Sequence, residues 1–227
     1  MTTLQQRLND TIKALPEKVT LVAVSKFHPA EAIREAYDAG QRIFGESRAQ
    51  ELVGKHDTLP TDIEWHFIGH LQPNKVKYIA PFVSLIHAVD TFRLLQEIDK
   101  QGRRCDRVIP CLLQLHVAAE ETKFGFTPQE CRAMLEEGAW REMDHVEIAG
   151  IMCMASNTDD EARIRADFHE ANQFYREAKS TWFADRPTFA LRSWGMSGDW
   201  HIAVEEGSNM VRIGSAIFGE RDLCINS

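Results

Sequence analysis

Long apolar runs, paired cysteines and clustered positive charge are all missing from this sequence. No stretch approaches the roughly 18 apolar residues of a membrane-spanning helix. The opening MTTLQQRLNDTIKALPEK is polar and amphipathic and has no apolar signal-peptide region. Neither membrane insertion nor secretion is expected. Cys105, Cys111, Cys131, Cys153 and Cys224 are odd in number, widely spaced and free of any CxxC pair. That pattern argues against a disulfide framework and against a structural zinc site, and points to a reducing, cytoplasmic setting. No block of Lys or Arg interrupts a chain of formal net charge −8. A nucleic-acid-binding or anionic-membrane surface is therefore not expected, while a local basic site for a small anion stays open.

What remains is an ordinary globular composition: 227 residues, 44% apolar and 26% charged, enough to bury a sizeable core. No linker or low-complexity segment divides the chain, so residues 1–227 are expected to form a single domain. Short β-branched or apolar runs recur at 19–26, 42–46, 64–69, 84–90, 109–117, 147–154, 188–194 and 210–216, with helical patterns between them. Start and stop signals punctuate those helices: Pro29 and Gly40, Thr127-Pro128 and Gly138, Asp199 and Gly207. Strands alternating with helices indicate βαβ units. Eight strands and seven intervening helices predict a compact (β/α)8 barrel of the α/β class, preceded by an extra N-terminal helix. An open doubly wound sheet is the alternative.

A barrel directs attention to the C-terminal ends of its strands, where such folds carry chemistry. Strand one reads LVAVSK, and period-two alternation puts Val22, Val24 and Lys26 on one face. If that face lines the barrel, Lys26 projects into the mouth, where desolvation or a nearby cation readies an amine for imine chemistry. A lysine snorkelling to water is the plain alternative for this stretch alone. Strand seven runs into WGMSGDWHIAVEEG, where Gly195, Ser197 and Gly198 form a small loop suited to a phosphate and Asp199 is placed to cap the next helix. Strand eight carries Arg212 and ends in Gly214-Ser215, the start of a short helical segment. Two glycine and serine loops on adjacent strand ends, with Lys26, point to a phosphorylated carbonyl compound held by its phosphate and by an imine.

Other strand ends carry weaker signals. In FGESRAQE, Glu46, Ser47 and Arg48 read as a helix start with caps or a solvated face. WHFIGHLQPNK brings His66, His70, Gln72, Asn74 and Lys75 to one end without the spacing of a metal site, and Cys153 and Met154 read as core sulfur residues.

The segments LVAVSK, IFGESRAQE, WHFIGHLQPNK, TKFG, GIMCM and WGMSGDWHIAVEEGSNMVRIGSAIFGER, in unbroken order from about residue 19 to 221, resemble the pyridoxal-phosphate homeostasis protein family. That family is similar in fold to the N-terminal barrel of alanine racemase. The resemblance implies pyridoxal 5′-phosphate (PLP) as cofactor, carried by Lys26 as an internal aldimine. It implies that Ser197, Gly214 and Ser215 hold the phosphate, that Ser47 is a further cofactor contact, and that Arg212 faces the pyridine nitrogen. A guanidinium there disfavours a protonated ring and weakens the cofactor as an electron sink. The sequence departs from the pattern at Ser47 (often Asn), His116, Trp194, Phe27-His28 and Ser215 (Thr). Two functions follow as expectations. The first is a non-catalytic carrier and regulator of PLP, with apo-PLP enzymes as candidate recipients. The second is an amino-acid racemase or related PLP enzyme, and an aldolase using Lys26 ranks third. Racemisation needs a second acid/base opposite the lysine. Racemases take it from a second domain, and the only tyrosines here, Tyr37, Tyr78 and Tyr175, fall in predicted helices. The carrier is therefore preferred, and loss of the dimerising domain points to a monomer.

Overall fold

A computed structural model describes residues 3–120 and 124–219. Thr122 and Lys123 of the TKFG stretch, Glu220, Arg221 and Cys224 lie outside the described residues. Eight strands close into a barrel in sequence order, every neighbouring pair parallel. They are β1 (Thr20–Val24), β2 (Ile43–Glu46), β3 (Glu64–Phe67), β4 (Leu85–Val89), β5 (Ile109–Leu115), β6 (Val146–Cys153), β7 (Leu191–Ser193) and β8 (Met210–Ile213). The helices are α1 (Leu4–Ala14), α2 (Ala30–Asp38), α3 (Ala49–His56), α4 (Pro73–Ile79), α5 (Phe92–Arg104), α6 (Pro128–Glu137), α7 (Glu161–Thr181), α8 (Trp200–Glu205) and α9 (Ser215–Phe218). The barrel and its leading helix α1 agree with the sequence reading, and the open sheet is excluded because β8 pairs with β1 from Thr20↔Met210 to Ala23↔Ile213.

The core divides as period-two alternation requires. Val22, Leu85, Leu112, Met152 and Met210 form one cluster, and β1 can reach β5 only across the lumen. Leu21, Ala23, Phe44, Trp65 and Phe168 belong to the larger layer between strands and helices. The face of Val22 therefore does look into the barrel. Threonine at the start of α6 forms a full capping box with Glu130, and Gly138 ends that helix in the left-handed region at φ 80°. A 3-10 turn over Ala139–Glu142 follows, which the sequence reading did not anticipate.

Three boundaries differ from expectation for local reasons. β1 ends at Val24, so Lys26 sits two residues beyond the ladder, where Phe27 takes φ 68°. β7 is only three residues long, because the Asn209 side chain accepts from Arg192 N–H and donates to Ala190 O, taking over ladder positions. Asp199 does not cap α8 with its side chain; its carboxylate accepts from Met196 N–H at 2.5 Å within the preceding loop. Among the described residues no helix is long and apolar enough to cross a membrane.

The strand partner of β5 slips by one residue where Cys111↔Ile148 gives way to Leu112↔Gly150. A Cβ on Gly150 would stand 1.9 Å from Leu191 O, so the β6 bulge and its contact with β7 require glycine. Gly150→Ala is expected to destabilise the barrel by about 2–3 kcal/mol, seen as a lower urea midpoint at unchanged slope.

Candidate functional site

A cavity of about 290 Å³ opens at the C-terminal ends of the strands. Lys26 enters from the β1 exit, Ser197 and Gly198 from the loop after β7, Arg212 from β8, and Gly214 and Ser215 from the start of α9. Five of the six residues singled out from the sequence thus share one cavity. Ser47 instead lines a neighbouring one with Arg48, His70 and Lys75. Two cations face the first cavity and no carboxylate is among its described lining residues. That is a local reversal of sign in a chain of net charge −8. Met154 also lines it, so Met154 is a wall of the site and not a core residue; Cys153 beside it is fully buried, and burial pushes its thiol well up.

The two small loops meet at the wall of the cavity. Gly214 N–H donates to Ser197 Oγ at 3.3 Å, bridging the loops after β7 and β8 and leaving the hydroxyl proton to point elsewhere. The Ile217 and Phe218 amides close back onto Gly214 O, so the Ser215 and Ala216 amides lead the turn. A Cβ at Gly214 would come within 3.1 Å of Val24 O, so glycine lets β8 pass closely beside the β1 exit.

Arg212 is 4% exposed and has only neutral acceptors. Nη1 donates to Ser193 O and to Ser193 Oγ, both at 2.7 Å, and Nη2 donates to Cys153 O at 3.0 Å. Three of five N–H groups are used. Ser193 Oγ in turn meets His87 Nδ1 at 2.9 Å, and His87 Nε2 meets His66 Nδ1 at 3.0 Å. Burial pushes His66 down to about 3, and burial first, then the neighbouring His66 ring and the Arg212 guanidinium, hold His87 well below its usual value. Both rings are neutral, and a line of neutral groups backs the guanidinium. His66 therefore lies inside the barrel and does not join His70 at the mouth. His70 Nδ1 pairs with Asp90 Oδ2 at 2.8 Å, and its ring stacks on Phe124. Among the described residues no group of three or more His, Cys, Asp or Glu is arranged to hold a metal.

Glu46 is not a solvated helix start. It is fully buried, accepts from Ser25 Oγ at 2.6 Å and from Lys55 Nζ at 2.7 Å, and leaves Oε2 without a partner. Lys55 Nζ also donates to Glu51 Oε1 at 2.7 Å and to Ser25 O at 2.9 Å. Sequence reading passed over Lys55, Glu51, Ser193 and His87. Glu51 and Lys55 show only the i,i+4 spacing of a surface pair, and a polar residue inside a short strand carries no mark of its direction.

Burial raises the Glu46 carboxyl to about 7, against the opposing pull of Lys55 and Ser25. The folded chain therefore holds a proton there that the unfolded chain releases near 4.5. The resulting stabilisation is full below the unfolded value and lost as pH rises through the folded one. Glu46→Gln keeps the shape without the titration. Urea melts from about pH 4 to 8 are expected to show the wild type losing about 3 kcal/mol relative to Glu46→Gln across that window.

The family described as alanine racemase, N-terminal domain, matches residues 1–222. The pyridoxal phosphate homeostasis protein of Aquifex aeolicus is 37% identical over 202 residues, 88% of this chain and 86% of that protein. Its counterpart in Vibrio alginolyticus is 38% identical over 212 residues, 91% and 88% of the two chains. Among solved structures, PipY of Synechococcus elongatus without PLP superposes with a TM-score of 0.89 at 36% identity, covering 96% of this chain and all (100%) of that one. PipY with PLP bound gives 0.86 at the same 36% identity and coverage of 96% and 100%. Alanine racemase of Clostridium difficile shares the fold at 14% identity, with a TM-score of 0.76 over 97% of this chain and 56% of the racemase. With one family match running from residue 1 to 222 and relatives more than a third identical along most of both chains, this chain belongs to the pyridoxal phosphate homeostasis protein family, built on the barrel of the alanine racemase N-terminal domain.

Proposed function

We propose that this protein binds pyridoxal 5′-phosphate in the barrel-mouth cavity and serves PLP homeostasis as a carrier and regulator, without turnover of a substrate. The observation that carries the reading is the lining of that cavity: a lysine, an arginine and a serine-glycine cradle, with no carboxylate among its described residues. The donor set fits the group. The Ser197 hydroxyl and the amides at Ser215 and Ala216 suit a phosphate, and the close approach at Gly214 leaves the cradle open. Lys26 supplies a primary amine for the aldehyde, and the two N–H groups of Arg212 beyond its three protein bonds suit a ring nitrogen that stays unprotonated. When bound, PLP supplies an electrophilic aldehyde and an electron-accepting ring. Ser47, in the adjoining cavity, is the proposed contact with the weakest geometric support. PipY, solved with PLP bound, and the homeostasis proteins of Aquifex and Vibrio support the same assignment.

The carrier reading is supported by the tyrosines. Tyr37 bonds Asp62, Tyr175 bonds Phe189 O, Tyr78 is exposed, and none of the three lines the cavity. The racemase reading gains one observation, because His28 lines the cavity and is a titratable group that the sequence reading did not weigh.

Borohydride reduction after incubation with PLP is expected to fix one pyridoxyl phosphate group on Lys26, read by peptide mass, and none on Lys26→Ala; fixation at another residue would overturn the assignment. In heavy water with each amino acid in turn, α-proton exchange is expected to stay at the level of Lys26→Ala. Fast exchange that His28→Gln abolishes would make the protein an enzyme.

A further inference from the structure

The peptide groups on either side of Lys26 are both gripped by one buried charge cluster. The carbonyl before it, Ser25 O, accepts from Lys55 Nζ at 2.9 Å. The amide after it, Phe27 N–H, donates to Glu51 Oε1 at 2.7 Å. Lys55 joins those two grips by its own bond to Glu51 and reaches Glu46, which the Ser25 hydroxyl also meets. The three protons of the Lys55 ammonium thus have three acceptors, Ser25 O, Glu46 Oε1 and Glu51 Oε1, all within 2.9 Å. Lys55 is 7% exposed and Glu46 0%.

The conformation held in place is an unusual one. Phe27 is a non-glycine residue at φ 68°, in the left-handed region that bulky side chains rarely adopt. Its ring is 45% exposed, covered on one side by the Arg48 guanidinium at 4.9 Å, so packing of the ring does not fix the turn. The turn is closed by its own His28 N–H to Ser25 O bond at 3.1 Å, and Lys55 and Glu51 add a grip on each peptide group beside Lys26. Without them, the backbone at Lys26 would rest on that one turn bond, and the amine would be held less firmly on its line into the cavity.

We infer that Lys55 and Glu51 are positioning residues for Lys26: they clamp both of its flanking peptide groups and so aim its amine at the ligand in the cavity. This inference rests on the reading that Lys26 is the amine that captures PLP. Loss of aim predicts a specific division of effects. Ser197 and Arg212 belong to the β7 loop and to β8, and the hydrogen bonds given for them go to Gly214, Ser193 and Cys153, not to Lys55, Glu51 or Glu46. Capture through the aldehyde is expected to suffer while non-covalent binding of the phosphate end does not.

The test uses the full chain and two ligands, PLP and pyridoxine 5′-phosphate, which has the same ring and phosphate but no aldehyde. In Lys55→Met and Glu51→Ala, the rate of borohydride-fixable capture of PLP on Lys26 is expected to fall at least about tenfold, as expected for a small misplacement of a reacting group. The dissociation constant for pyridoxine 5′-phosphate is expected to stay within about twofold. Lys55→Arg, which keeps the charge, is expected to recover part of the rate. Equal losses for both ligands would assign the cluster a purely structural role, and unchanged capture would assign it none; either overturns the inference. If Lys55→Met does not fold, Glu51→Ala carries the test, since that side chain is already 21% exposed. Failure of the wild type itself to fix PLP on Lys26 is a different result, and it overturns the cofactor assignment instead.

Discussion

A guanidinium buried in the barrel without a carboxylate against it is the constraint around which the site is arranged. Arg212 fastens three strands at once, donating from β8 to Ser193 on β7 and to Cys153 O on β6. A buried cation is costly unless its protons are taken, and here carbonyls and a hydroxyl take them. These partners have no net charge, and the Asp199 carboxylate in the loop after β7 acts on Arg212 without bonding it. Arg212 lines the cavity beside Lys26. The neutral pair His87 and His66 continues the line behind Ser193 and adds no opposing charge. A carboxylate in place of Ser193 would satisfy the arginine more strongly and spoil the site for an anion.

The chain treats its second buried cation in the opposite way. Lys55 is surrounded by two carboxyl groups and a carbonyl, and all three of its ammonium protons are taken by them. One cation is matched by acids beside a backbone turn, and the other is held by neutral acceptors at the wall of the cavity. Lys26 stands between them, half-buried, with its backbone in the domain of the first and its side chain facing the domain of the second. An amine poised to react with an aldehyde needs both: fixed direction, and a partner already held in place.

Much of this was legible in the sequence. Eight runs separated by helical patterns gave the barrel, and alternation from Val22 set Lys26 at the mouth, as the lumen cluster around Val22 bears out. Gly214-Ser215 and Ser197 came together because barrels place the loops after strands seven and eight side by side. What stayed hidden depends on direction and depth, which a one-dimensional pattern does not carry. Glu46 read as exposed because charged residues before a helix usually are, yet the strand end turns it beneath the Ser25 hydroxyl. His66 lies on β3 and His70 on its exit, yet His66 points inward, where barrel closure brings His87 and Ser193 within reach. Ser47 was assigned to the site from resemblance alone, and it lines the adjoining cavity, because a motif does not carry which wall a side chain faces.

The seam between β1 and β8 also sets when the site can exist. Lys26 follows the first strand, while Arg212, Gly214 and Ser215 belong to the last, and Arg7 of α1 locks onto Ile217 O of α9 across the same seam at 2.8 Å. The contacts that make the cavity are thus among the longest in sequence separation that the fold contains, and such contacts form late. During synthesis the lysine emerges early and the cradle emerges last. A chain still being translated has Lys26 but not yet the β8 end of the cavity that it lines. Ligand binding is in this sense a proof of completed closure, and a bound phosphate compound would act as a rivet at the one joint that the polypeptide leaves to the end.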